Sequence, residues 1–359
     1  MAAMLWVDKH RPRDLSSVDL HNDTTTTLKR LVESRDFPHL LFSGPNGAGK
    51  KTRVMAFLHA HYGESVLHLK LDHKSVQVND HKSLDIATLS SPHHIDINPS
   101  DAGPTYDRVV VMQTIREIAE TAPLVGGASA TATPFKVVVL NEVDKLSRGA
   151  QQALRRTMEK YVSTCRLILI CNSTSRLIAP LRSRCLGVRV PAPTENEIAG
   201  VIKKVAGKEG MVDVSDAFCS AVAGLADGNL RRALLLAESA KAAKIPFSGN
   251  GAGIPVSDWQ LCIQEIAQDI VSEQTPKKLF DCRTKYYELL AHCIPADTVL
   301  RELTMQLLKV VQPRLRASVL QAAATFDHSL KQGSKPIVHL EAFTANVMKA
   351  LKADHFSAP

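Results

Sequence analysis

Two spacings of apolar residues share the chain up to Pro191, and only one continues beyond it. Short dense apolar runs stand at residues 40–42, 135–140, 166–171 and 186–190. Runs this short, rich in branched side chains and bounded by turn formers, predict strands buried on both faces. Residues 65–71 alternate polar and apolar side chains and predict another strand, and 95–98 predicts a short one. Between these runs the apolar residues fall three and four apart, which predicts helices. One lies at 24–31, one follows Lys50 (Val54, Met55, Phe57, Leu58), one spans 107–121 (Val110, Ile115, Ile118), and one runs from the capping residue Ser147 to Tyr161. Residues 72–92 are polar and irregular, and His93-His94 reads as loop. Residues 121–134 are small and charge-free and read as a loose surface loop.

Pro191-Ala192-Pro193 ends the alternation of strand and helix. Thr194-x-x-Glu197 forms a capping box ahead of Ile198, Val201 and Ile202, and further helices are expected at 214–225 and 227–244. The Gly- and Pro-rich stretch 246–255 reads as a linker. From Ser257 onward only helical stripes remain. Leu300, Leu303, Leu307 and Val311 make one, stopped at Pro313; Leu340, Phe343, Val347 and Leu351 make another. The expected organisation is an α/β domain with a parallel sheet at 1–192, a small helical domain at 193–253 and an all-α domain at 254–359.

The candidate chemistry begins where the first buried run ends. Gly44-Pro45-Asn46-Gly47-Ala48-Gly49-Lys50-Lys51-Thr52 lies between a strand and a helix, the context of a phosphate-binding loop. Its glycines let successive N–H groups face one point, the helix N-terminus adds partial positive charge, and Lys50 can reach the terminal phosphates. The position after Lys50 normally carries a Ser or Thr that ligates Mg²⁺. Here it is Lys51, and Thr52 follows one helical step, about 100°, further round. An ammonium cannot ligate a cation, but it can neutralise phosphate charge in the metal's stead.

The second run ends in Asn141-Glu142-Val143-Asp144, at the carboxyl end of a strand, where open α/β sheets hold their ligands. A phosphate-loop ATPase needs an Asp to hold Mg²⁺ and then a Glu to polarise the attacking water. Asn141 replaces the first, and Glu142 keeps the second. Both departures weaken the same ion. Nucleotide binding is therefore expected with Mg²⁺ weak or absent and with slow or absent hydrolysis at this site. Asn172, at the end of the third run, can be read as a water-orienting amide or as a simple turn former.

Length and composition bound the rest. The 359 residues, 45% apolar, suffice for two or three cored domains. No apolar run is long enough to span a membrane, and the first residues carry charge where a secretory signal would be apolar. The formal charge of +8 favours an anionic partner, nucleic acid first. Seven cysteines without a C-x-x-C pair argue for a reducing compartment and against a zinc site. Trp6, set among basic residues, could stack on a base or anchor its segment to the fold.

In this order and spacing the motifs resemble the small subunits of AAA+ clamp loaders of the replication factor C family, over nearly the whole chain. Residues 6–12, 44–52, 141–144, 155–159, 183–185 and 228–231 carry the resemblance. The Gly-Lys-Lys-Thr loop with a degenerate acidic box is most similar to the subunit 3 type, which retains nucleotide while its neighbours do most of the hydrolysis. The resemblance implies an AAA+ phosphate-loop sheet domain, a helical lid and a C-terminal helical collar. It assigns Val7, Arg11 and Pro12 to a segment closing over the adenine of ATP or ADP, and Asn172 and Arg231 to two sensors of the γ-phosphate. Arg184 matches an arginine finger directed into the next subunit's ATP site; on residues alone it is equally a basic loop residue. Arg155, Arg156 and Glu159 match the helix that couples neighbours. The resemblance further implies a nuclear heteropentamer that opens a ring-shaped sliding clamp on primer–template DNA in replication and repair. Arg108, near a helix start, is a candidate phosphate contact. Two other readings share this fold: an intrinsically active ATPase in which Glu142 suffices, and a scaffold subunit mainly of checkpoint or cohesion loaders.

Overall fold

The structure is a computed structural model, and it describes residues 4–79, 82–103, 105–120, 135–211, 213–247, 249 and 253–357. The loop expected at 121–134 lies outside them, as does part of the expected linker. The chain divides into two compact units, Met1–Ile254 and Pro255–Pro359.

The first unit opens with α1 (Trp6–Lys9) and α2 (Asn22–Glu33), followed by β1 (Leu40–Ser43), α3 (Lys50–Tyr62), β2 (Lys70–Asn79), β3 (Lys82–Ser90) and β4 (His94–Ile97). After them come α4 (Asp107–Glu120), β5 (Lys136–Leu140), α5 (Arg148–Lys160), β6 (Cys165–Cys171), α6 (Ala179–Arg182) and β7 (Leu186–Arg189). The strands form one sheet in the order β2-β3-β4-β5-β6-β1-β7. From β4 to β7 all pairings are parallel; β2–β3 and β3–β4 are antiparallel.

Alternate residues of the central strands feed two separate cores. Val137 and Val139 of β5, Ile168 of β6 and Phe42 of β1 pack with Leu28, Val54 and Phe57 of α2 and α3. Val138, Leu140, Leu167 and Leu169 pack with Val110, Ile115 and Leu154 of α4 and α5. A strand covered on both faces has no polar side to show, which is why these runs read as continuously apolar. Ser147 caps α5 through its Oγ, which accepts from the Ala150 amide at 3.1 Å, and is itself held by the buried Asp107 carboxylate.

Several expectations need correction here. Residues 65–71 are not one strand: a short 3-10 turn at Glu64–Leu67 precedes β2. The irregular stretch 72–92 is mostly the antiparallel hairpin of β2 and β3. Of its described side chains only Val76, Ile86 and Thr88 are buried, so the apolar alternation is too thin to see in the sequence. His94 is not in a loop but opens β4, with Nδ1 2.6 Å from Ser91 Oγ. Burial drives its pKa down to about 4.

Beyond Pro193, α7 (Glu195–Lys208), α8 (Asp216–Ala226) and α9 (Leu230–Ala242) share a core of Ile198, Ile202, Phe218, Val222 and Ala233. The capping box is formed: Glu197 Oε2 accepts from the Thr194 amide at 2.7 Å and Thr194 Oγ1 from the Glu197 amide at 3.4 Å. Trp6 is buried in this same core, not exposed, and Lys241 lies 5.1 Å from its ring centroid. Glu209 receives Lys9 at 2.5 Å, His10 at 2.8 Å and Lys241 at 3.1 Å. Hydrogen bonds from Lys9, His10 and Lys241 hold its pKa down to about 2. The N-terminal segment is thus anchored by an apolar ring and an ionic knot. Phe247 and Ile254, from the stretch expected as linker, are also buried here.

The second unit contains α10 (Asp258–Ser272), α11 (Pro276–Ala291), α12 (Ala296–Val310), α13 (Arg316–Gln332) and α14 (Pro336–Ser357). Leu300, Leu303, Leu307 and Val311 meet Leu340, Phe343 and Val347 in its core, with Leu351 at the margin. The buried Tyr286 hydroxyl is satisfied by Thr344 Oγ1 at 2.7 Å.

Candidate functional site

A cavity of about 690 Å³ lies at the carboxyl ends of β1, β5 and β6, and α9 and the N-terminal segment contribute to its wall. The loop after β1 is shaped by two close approaches. A Cβ on Gly44 would sit 1.9 Å from the Val190 carbonyl oxygen. A Cβ on Gly47, whose φ is +76°, would sit 1.8 Å from Asn229 Oδ1. Only glycine lets the loop pass this close to the end of β7 and to the residue that caps α9. Lys50 is buried, and its ammonium donates to the carbonyls of Gly44 (2.7 Å) and Pro45 (2.9 Å) and to Asn172 Oδ1 (2.9 Å). Burial lowers its pKa. Asn172 is in turn held through its backbone N–H, which donates to Asp144 Oδ1 at 3.3 Å. Three donors with three acceptors keep the lysine inside the loop, where a phosphate has to exchange with the loop's own carbonyls.

The sequence-predicted residues separate into two places. Val7, Arg11 and Pro12, the loop from Asn46 to Thr52, and Asn141, Glu142, Asn172 and Arg231 all line the cavity. Arg11 Nε is buried with no hydrogen-bond partner. Arg184, Arg155, Arg156 and Glu159 lie outside it and are exposed. Arg184 meets Glu159 Oε1 through Nη2 at 2.5 Å and Nε at 2.8 Å, and Arg155 reaches the same oxygen at 3.4 Å. Arg108 is exposed in the first turn of α4, also away from the cavity.

Mg²⁺ needs near-octahedral oxygen ligands, usually carboxylates and waters. The cavity offers a different arrangement. Lys51 Nζ lies 2.6 Å from Asp96 Oδ2, and the Asn141 amide nitrogen donates to Asp96 Oδ1. Glu142, with a left-handed φ of +51°, pairs through Oε2 with Lys145 at 2.8 Å. Among the described residues, no group of three or more His, Cys, Asp or Glu side chains is placed to hold a metal. A nucleotide-bound Mg²⁺ needs only one or two protein ligands beside phosphates and waters. Here an ammonium stands at the hydroxyl position and an amide turned toward Asp96 at the carboxylate position, a pair that fits the ion poorly. Asp96, buried on β4 and paired with the cavity residues Lys51 and Asn141, is a residue that sequence reasoning missed. The available signal was a charge inside Ile95-Asp96-Ile97, a stretch whose neighbours are built for burial.

Comparison with known proteins agrees with this geometry. Residues 259–355 match the family "Replication factor C subunit 3, C-terminal domain", and 200–242 match "RCF1/5-like, AAA+ ATPase lid domain". Residues 20–194 match "DNA polymerase III, delta subunit". The probable replication factor C subunit 3 of Dictyostelium discoideum is 47% identical over 350 residues, covering 97% of this chain and 99% of that one. Replication factor C subunit 3 of Homo sapiens is 45% identical over 348 residues, covering 97% and 96%. Among solved structures, the RuvB Holliday junction branch migration motor of Thermotoga maritima aligns with a TM-score of 0.50 at 15% identity, over 85% of this chain and 93% of that one, a likeness of fold alone. Among the described residues no helix is long and apolar enough to cross a membrane. Near-full-length identity of this size, on an AAA+ sheet with its lid and a C-terminal helical unit, means that the chain belongs to the replication factor C subunit 3 family.

Proposed function

We propose that the chain is a nucleotide-holding subunit of a DNA clamp loader, which binds ATP or ADP in the β1–β5–β6 cavity, turns it over slowly or not at all, and lends Arg184 to a neighbouring subunit. One observation carries the reading: a phosphate loop, a lid arginine and the N-terminal segment converge on one cavity, while Arg184 stands outside it. Lys50, the loop amides and Arg231 would hold the phosphates, and Val7, Arg11 and Pro12 the base. The Lys145 pairing supports weak turnover, since a general base engaged by an ammonium is a poorer acceptor. Around this core stand the partners that the family resemblance implies: sister subunits, a ring-shaped clamp and primer–template DNA, acting in the nucleus. The exposed Arg155, Arg156 and Glu159 would face a neighbour, and Arg108 a phosphate of the DNA.

The test is reconstitution. The purified chain should retain nucleotide and show negligible turnover. Arg184→Ala should slow ATP turnover by the assembled complex by roughly a thousandfold at the one site it serves, the scale of an arginine finger, while nucleotide in this subunit stays. An unchanged rate removes the finger assignment, and a chain that holds no nucleotide removes the reading of the cavity.

A further inference from the structure

We propose that the Lys51 ammonium, fixed in place by Asp96, stands in for Mg²⁺, so that this cavity takes ADP or ATP as the metal-free anion. The proposal rests on the nucleotide-binding reading above and adds how the phosphate charge is met.

Asp96 is 5% exposed. A carboxylate buried to this extent must be paired and hydrogen-bonded. One oxygen takes the Lys51 ammonium at 2.6 Å and the other takes the Asn141 amide nitrogen. The orientation of that amide follows from chemistry, since the reverse would set a carbonyl oxygen against a carboxylate. The two departures from a metal-binding loop are therefore one device. With Asp at 141, two carboxylates would face each other and repel, or share a cation. With Asn at 141, Asp96 gains a donor and keeps one oxygen for Lys51. Both of its oxygens are then turned to a donor or cation of the protein, with which a divalent ion would have to compete.

Lys51 is held without being spent. Its ammonium carries three donors and is drawn to Asp96 by charge, with Nζ 2.6 Å from Oδ2. The side chain remains 41% exposed and lines the cavity beside Lys50. The ammonium groups of two consecutive lysines, one held by the loop carbonyls and Asn172 and the other by Asp96, supply fixed positive charge to a diphosphate. They also repel a divalent ion approaching the same place.

The experiment titrates fluorescently labelled ADP into the purified full chain, once in excess Mg²⁺ and once in EDTA. The expected dissociation constants agree within about threefold, less than the tenfold that one charge-assisted hydrogen bond commonly commands. Lys51→Met should weaken binding roughly tenfold or more in both buffers on the same scale. Asp96→Asn, which keeps the shape and releases the ammonium, should weaken it less, and again equally in both. A larger loss of wild-type affinity in EDTA overturns the proposal and leaves nucleotide binding standing. So does a Lys51→Met protein that binds as well as wild type. Absence of ADP binding in both buffers would overturn this inference together with the reading beneath it. The wild-type comparison needs no variant to fold.

Discussion

Replacing Gly47 by alanine tests whether the phosphate loop and the lid are one mechanical part. Gly47 has φ +76°, and a left-handed alanine costs about 1–2 kcal/mol. The new methyl would lie 1.8 Å from Asn229 Oδ1, a separation no real contact reaches, so the Asn229 side chain has to leave. That oxygen accepts the Arg232 amide at 3.1 Å and caps α9, the helix that carries Arg231 into the cavity. Losing such a cap costs about 1 kcal/mol. Gly47→Ala should therefore destabilise the first unit by roughly 2–3 kcal/mol. Asn229→Gly removes the obstructing atoms, and glycine replaces a cap at a cost of only a few tenths of a kcal/mol.

The two changes together should cost about 1 kcal/mol less than their sum, because the methyl then enters vacated space. The readout is urea unfolding followed by Trp6 fluorescence in a shared Trp259→Phe background, since Trp6 lies in the lid core and Trp259 in the second unit. ADP affinity should fall in Gly47→Ala and return in part in the double variant. Strict additivity of the two losses, or a Gly47→Ala protein as stable as wild type, would refute the coupling.

His94 makes stability depend on pH in a stated direction. Its folded pKa of about 4 lies below the ordinary 6.5, so its contribution is complete above pH 6.5 and is lost as pH falls toward 4. The slope it adds is at most about 1.4 kcal/mol per pH unit, one proton's worth. His94→Gln should flatten the decline in urea midpoint between pH 6.5 and 5, and an unchanged slope would clear His94 of the role. Lys51→Thr combined with Asn141→Asp leaves Asp96 facing a second carboxylate beside a hydroxyl, a cation site in place of an ammonium site. That double variant should show raised Mg²⁺-dependent ATP hydrolysis; no rise would mean that another feature, such as the Glu142–Lys145 pair, silences the site.

How much of this was legible depends on how far each signal reaches along the chain. The central strands were readable because residues 135–140 and 166–171 are buried on both faces and need no partner to be recognised. The start of α7 was readable because a capping box closes within four residues. The hairpin at β2 and β3 was not, because Val76 and Ile86 alone supply its apolar burial among the described side chains. The phosphate loop is a local motif and stood out at once. Its meaning did not, because Asn141 meets Asp96 across 45 residues of chain and Lys51 meets it from another strand's loop. Read one position at a time, Lys51 and Asn141 are two lost metal contacts. A buried carboxylate changes that arithmetic, since it demands positive charge and a donor from somewhere. Ile95-Asp96-Ile97 announces the demand in the sequence, but only the parallel pairing of β4 with β5, which sets Asp96 beside Val139, shows which residues answer it.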